Sequence, residues 1–214
     1  MAGVLLLAFD TATPAITVAV HDGRRVVGEA LGEGAMAHGE LLAPAIRDAM
    51  AQAGASMADL TDVAVGVGPG PFTGLRVGVV TALTLGSTLG LTTHGVCSLD
   101  VVAADVQVGG EFLVATDARR KEVYWARYGG GHVRVDGPHV LKPADLAAQH
   151  PDLPVYGHGA HLYADVLRAA GDAAAPRAAA LAELVVSGRA VELPLEPLYL
   201  RRPDAVPQTV SKRA

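Results

Sequence analysis

Residues 65–78, VGVGPGPFTGLRVG, constrain this chain more than any other stretch. Gly68-Pro69-Gly70-Pro71 suits neither a strand nor a helix interior: proline lacks an amide donor and glycine leaves the backbone unrestrained. The stretch is therefore a loop. A continuous apolar run, 63–67, precedes it and a long helical pattern follows, so the loop joins a buried strand to a helix. Thr73 is placed to cap that helix, which runs to about Gly90. A glycine-rich strand-to-helix turn is also how proteins bring backbone N–H groups to phosphate. Two phosphate-binding patterns fail here. The P-loop needs a lysine after its last glycine, and Gly74 is followed by Leu75; the dinucleotide fingerprint meets Pro71 or Thr73 where its last glycine belongs. On these residues alone the loop is a structural turn.

The helix after it repeats small residues every fourth position: Gly74, Gly78, Ala82, Gly86 and Gly90. That spacing puts them on one face. Each helical glycine costs roughly 0.8–1 kcal/mol against alanine, so close packing has to compensate. The stripe suits either packing on the chain's own sheet or the approach of a partner helix.

The same periodicities divide the rest of the chain. Residues 4–9 are a buried strand and 10–14 a turn; Ile16, Val18 and Val20 alternate, Asp22-Gly23 is a hairpin turn, and 25–30 is the returning strand. Residues 32–38 read as a mobile loop leading into a helix over 36–53, with Leu41, Leu42, Ala45 and Ile46 on one face. A strand at 91–96 and a short helix at 98–106 complete a first unit. Strands at 112–116, 122–128 and 132–140 open a second. Helical pattern follows Pro143, with a short strand at 154–156 and helices near 161–170 and 177–186. This order predicts an α/β chain of two subdomains, 1–107 and 108–214, each a mixed sheet flanked by helices, as in the actin-like (ribonuclease-H-like) ATPase fold.

Composition narrows the function. Half of the 214 residues are hydrophobic and 18% are charged, which excludes a disordered tail protein. Net charge is −5, and the basic runs are short: Arg119-Arg120-Lys121, Arg201-Arg202 and Lys212-Arg213. A chain that grips nucleic acid alone carries a basic stripe, so RNA contact is expected only within an assembly. The single Cys97 makes no internal disulfide and fits a reducing compartment. Residues 77–99 carry no Asp, Glu, Lys or Arg, but their many threonines point to a buried helix and strand rather than a membrane span. A soluble cytoplasmic protein is expected.

Candidate chemistry is sparse. Asp10 ends the first strand and Asp117 follows a later one, as magnesium-side acids do in nucleotide-binding folds; with Thr11 and Thr13 they outline a vestigial nucleotide site. Acids at strand ends are also ordinary turn residues. His158 and His161 are three apart, but the flanking glycines argue against a helix that carries both, and no cysteine accompanies them. Cys97 and His94 lie an odd number of residues apart in or near one strand, which sends their side chains to opposite faces. Neither pair is taken as a metal or catalytic site.

These segments resemble the TsaB family. AFDTATPAITVAV (8–20) is similar to its first hairpin, HGELLAPAI (38–46) to its first helix, and VGVGPGPFTGLRVGVVTALTLG (65–86) to its central motif. VCSLDVVA (96–103), DARRKEVYWARY (117–128) and PLYLRRPDA (197–205) resemble its later segments. The resemblance implies a shortened, non-catalytic relative of the catalytic subunit TsaD. TsaD-like proteins hold a metal through a His-x-x-x-His pair, and the equivalent positions here are Ser98 and Val102. TsaD also uses an Asp-Asn segment, and this chain has no Asn. The resemblance therefore implies no catalytic residue, no metal and no cofactor. It implies partners: TsaD in a heterodimer, the ATPase TsaE, a homodimer when alone, and tRNA only through the complex, with no membrane. Their joint product is threonylcarbamoyladenosine beside the anticodon of tRNAs reading codons that begin with A. The partner surface is expected on Leu41, Leu42, Ala45, Gly74, Gly78, Ala82 and Gly86. The competing readings are a small-molecule kinase or ATPase of the same fold, using Asp10 and Asp117, and a metallo-peptidase.

Overall fold

The computed structural model describes residues 3–33, 38–172 and 174–200. The expected loop at 34–37, Arg201-Arg202, Lys212-Arg213 and the end of the PLYLRRPDA segment lie outside the described residues.

Three strands open the chain: β1 (Leu6–Asp10), β2 (Ala15–His21) and β3 (Val26–Glu33). They pair antiparallel in sequence order, with Phe9 opposite Val18 and Asp10 opposite Thr17. Helix α1 (His38–Gln52) then leads to β4 (Asp62–Gly68), which pairs parallel with β1, and α2 (Phe72–Leu89) leads to β5 (Thr92–Cys97), parallel with β4. Parallel neighbours need a covering crossover, and α1 and α2 supply it. Helix α3 (Ser98–Ala104) ends this run. The second sheet holds β6 (Phe112–Asp117), β7 (Val123–Tyr128), β8 (Arg134–Leu141) and β9 (Val155–Tyr156), in the order β8-β7-β6-β9. Helices α4 (Pro143–Gln149) and α5 (His158–Leu162) cover one face of it, through Leu146 and Ala160. On the opposite face Phe112, Val114, Ala126 and Tyr128 cluster with Leu99 and Val102 of α3, which ties the two sheets together.

The chain then returns to the first sheet. Helix α6 (Ala178–Val186) lies across it, and β10 (Glu192–Leu193) adds an edge strand beside β5, so the order is β10-β5-β4-β1-β2-β3. Leu6, Ala8, Ala19, Ala64 and Val96 form one cluster with Leu181, Ala182 and Leu184 of α6. Leu7, Phe9, Val18, Val63 and Val65 point to the other face, against α1 and α2. Both faces of β1 and β4 are buried, which is why their residues read as unbroken apolar runs.

Three expectations need correction. Thr73 does not cap α2; the helix starts at Phe72 with Pro71 as its N-cap, and it closes on Gly90 in the left-handed region, φ 68°. Residues 161–170 do not form a helix; α5 is shorter, starts earlier, and carries both His158 and His161. The uncharged stretch 77–99, by contrast, divides into a helix and a strand as expected, α2 and β5. Helix α2 is long and apolar enough to cross a membrane, but one of its faces is packed on the first sheet.

The third concerns the small-residue stripe. Gly74, Gly78, Ala82 and Gly86 are all buried. A Cβ on Gly78 would overlap the Thr11 hydroxyl, and one on Gly86 would overlap the Thr93 methyl. The stripe is where α2 sits down on its own sheet. Leu42 and Ala45 are likewise core residues of α1, 2% and 5% exposed, and Leu41 is half-buried against the same core. The sequence pattern cannot settle this because α2 is apolar on two faces, and only the sheet beneath decides which is covered. Its other face leaves Val80 and Leu83 exposed, and Phe72 and Leu89 are exposed near its two ends.

Candidate functional site

The glycine-rich loop does not form an anion cradle; it receives the protein's own 10–12 segment. A Cβ at Gly66 would overlap the Asp10 carboxylate, and one at Gly70 would overlap the Ala12 carbonyl. Only glycine permits that approach. Asp10 is fully buried. One carboxylate oxygen accepts the Ala12 amide at 2.7 Å, and the other accepts the Ser98 hydroxyl at 2.6 Å. Ser98 Oγ in turn accepts the Gly68 amide at 3.2 Å. Burial pushes the Asp10 carboxyl up to about 6, against the lowering effect of the two hydrogen bonds. Thr11 is buried too, donating its hydroxyl to the Gly74 carbonyl at 2.8 Å. Of the four residues expected at a nucleotide site, Asp10 and Thr11 are thus engaged inside the fold.

The other two, Thr13 and Asp117, do face each other's element across a cleft of about 310 Å³ between the sheets. Ala12, Thr13, Pro14, Ala15 and Pro71 form one wall. Thr116, Asp117 and Arg119 form the other, with His158 and Ala175 completing the lining. The β6–β7 turn is unusual. Arg119, Arg120 and Lys121 all have positive φ, at 60°, 54° and 60°. Non-glycine residues rarely enter this region, and such outliers gather at functional sites. Asp117 Oδ1 accepts the Arg119 amide at 2.8 Å and helps hold the turn. Thr116 is 4% exposed, and its hydroxyl has no hydrogen-bond partner among the described residues. Sequence reasoning found Asp117 and the basic run but not Thr116, His158 or Pro71, whose convergence depends on how the sheets meet.

Two clusters outside the cleft hold the chain together. Asp100 of α3 accepts the Tyr128 hydroxyl at 2.7 Å and the Arg134 Nε at 2.9 Å, joining the sheets. Cys97, beside them, is buried, and its thiol is pushed up to about 12 by burial and then by the Asp100 charge. His94 lies between Glu192, 2.6 Å from Nδ1, and Asp62, 3.2 Å from Nε2. His94 and Cys97 do not meet as a pair. His161 contacts the Gly171 carbonyl at 2.9 Å through Nε2. No group of three or more His, Cys, Asp or Glu side chains is placed to hold a metal ion among the described residues.

Known proteins share both the sequence and this architecture. Residues 33–193 match the TsaD family, described as tRNA N6-adenosine threonylcarbamoyltransferase. An uncharacterised Mycobacterium tuberculosis protein is 46% identical over 96% of this chain and 95% of its own length. The Escherichia coli tRNA threonylcarbamoyladenosine biosynthesis protein TsaB is 36% identical over 58% of this chain and 54% of its own. The solved structure of YeaZ from Pseudomonas aeruginosa superposes with a TM-score of 0.73 at 28% identity, covering 92% of this chain and all of that one. An Arthrobacter polyphosphate/ATP-glucomannokinase, 13% identical, shares the fold with a TM-score of 0.50 over 86% of this chain and 99% of that one. The two-sheet architecture is the actin-like ATPase fold.

Proposed function

The chain belongs to the TsaD-type tRNA N6-adenosine threonylcarbamoyltransferase family as a TsaB member, and from that premise we propose that it is the non-catalytic subunit that scaffolds and activates TsaD. It acts with TsaE in the cytoplasm, in making threonylcarbamoyladenosine beside the anticodon of tRNAs that read codons beginning with A. The partner-binding unit is 1–107, and tRNA is met through the assembly.

The observation that carries the reading is the outer face of α2. Val80 and Leu83 are 57% and 47% exposed on the face of the helix turned away from the sheet, beside Phe72, which stacks on Tyr199 at 5.2 Å. Exposed apolar side chains on a helix face suit a protein partner. The same face would pair two copies when TsaD is absent. Asp10 supports the non-catalytic part. A kinase of this fold would need that acid open to a magnesium–nucleotide, whereas here it is sealed by Ser98, Ala12 and Gly66. The kinase likeness rests on fold alone.

Val80→Asp and Leu83→Asp test the proposal. Surface changes away from the core alter stability by about 0.5 kcal/mol or less, so both variants should fold. A buried unpaired charge at an interface is costly, so both should lose co-purification with TsaD. Retention of TsaD by both folded variants would place the interface elsewhere.

A further inference from the structure

The cleft between the sheets has chemistry that neither scaffolding nor a nucleotide explains. Its two full charges sit two residues apart on one turn. Asp117 Oδ1 takes the Arg119 amide, but the second carboxylate oxygen lies 3.7 Å from Arg119 Nε, too far for a hydrogen bond. The two form a loose, partly exposed ion pair, so each keeps hydrogen-bonding capacity for a ligand. The facing wall is apolar and poor in donors: Pro14 and Pro71 have no amide N–H, and the Ala12 amide is committed to Asp10. A polyphosphate, itself an anion, would meet the Asp117 carboxylate at this rim. A simple anion meets Asp117, and a simple cation meets Arg119.

We propose that this cleft binds a small zwitterion of the α-amino-acid class. Its ammonium pairs with Asp117, its carboxylate with Arg119, and an aliphatic side chain lies against Pro14 and Pro71. The buried Thr116 hydroxyl, unpartnered among the described residues, supplies a further polar contact, and buried polar groups of this kind call for a partner. A volume of about 310 Å³ suits such a ligand. The left-handed turn Arg119–Lys121 fits the same role, because it holds Arg119 and Asp117 at one rim.

The test uses the purified full chain alone, so its outcome does not depend on pairing with TsaD. L-valine, isobutyrate and isobutylamine are titrated separately by calorimetry, with magnesium–ATP as a fourth ligand. L-valine should bind at one site. The two single-charge analogues should bind roughly tenfold more weakly or worse, for each lacks one charge-assisted contact. Asp117→Asn keeps an oxygen for the Arg119 amide and so preserves the turn. It and Arg119→Gln should each raise the L-valine Kd about tenfold while leaving the ligand-free melting temperature unchanged. No L-valine binding at about 10 mM, equal binding of either analogue, binding untouched by both variants, or preferential binding of magnesium–ATP would each overturn the proposal.

Discussion

The Ser98 hydroxyl donates to the Asp10 carboxylate at 2.6 Å, joining the start of α3 to the end of β1 across 88 residues of chain. Burial still dominates this carboxyl and raises it from 3.8 to about 6. The native state therefore holds a proton that the unfolded chain releases at lower pH. Stability contributed by the protonated form is present below about pH 4 and lost as pH rises through about 6. The loss is on the order of 2–3 kcal/mol, because each tenfold gain in proton affinity is worth about 1.4 kcal/mol. Urea midpoints measured from pH 4 to 8 should fall across that window. Asp10→Asn should flatten the fall.

The direction in which α2 faces can be checked by stability alone. Gly78→Leu would force a side chain into Thr11 and Val65 and should cost about 3 kcal/mol or more. Val80→Leu, two residues along on the exposed face, should change stability by about 0.5 kcal/mol or less. Equal melting temperatures for the two variants would refute the inward orientation of the stripe.

His94 behaves oppositely to Asp10 in what moves it. Burial lowers its pKa, but Glu192 and then Asp62 outweigh that and raise it above 6.5. Its stabilisation is full below the unfolded pKa and disappears as pH climbs through the higher folded value. Because Glu192 lies in β10, the pair helps fasten the last strand to the sheet. His94→Gln should lower the urea midpoint at pH 6 and matter progressively less toward pH 9.

Asp100 carries the junction between the sheets. Its partners Tyr128 and Arg134 are largely buried, so Asp100→Ala leaves a guanidinium with no counter-charge at that site and should cost about 3 kcal/mol. Tyr128→Phe removes one hydrogen bond and should cost about 1 kcal/mol. In a double-mutant cycle, Asp100→Ala and Arg134→Met should be non-additive by about 1 kcal/mol or more. Additive effects would show that the ion pair adds nothing beyond its separate parts.

Much of this fold is legible in the residues. Alternation at Ile16, Val18 and Val20 and the Asp22-Gly23 turn specify the first hairpin, and the apolar run through Val63 and Val65 specifies a strand buried on both faces. The misses share one cause. Pro71 rather than Thr73 begins α2, and His158 begins α5 after a glycine at φ 94°, because local backbone geometry overrode composition. β10 is two residues long, and its identity lies entirely in pairing with Val96 and Gly95. The cleft was half visible: Asp117 and Arg119 stand in a conspicuous motif, whereas Thr116 and His158 become neighbours only when two sheets are docked.

The return of α6 to the first sheet sets the order in which the molecule can be completed. Leu6, Ala8 and Ala19 are covered by Leu181, Ala182 and Leu184, which lie near the other end of the described chain. On the ribosome, β1 and β2 must therefore emerge and wait, one apolar face bare, until Ala178–Val186 has been made. The second sheet, whose strands are closer in sequence, can assemble in the meantime as an excursion from an unfinished first unit. A nascent chain arrested near residue 107 would thus display the sticky surface that chaperones recognise, and the first sheet is closed only once α6 has emerged.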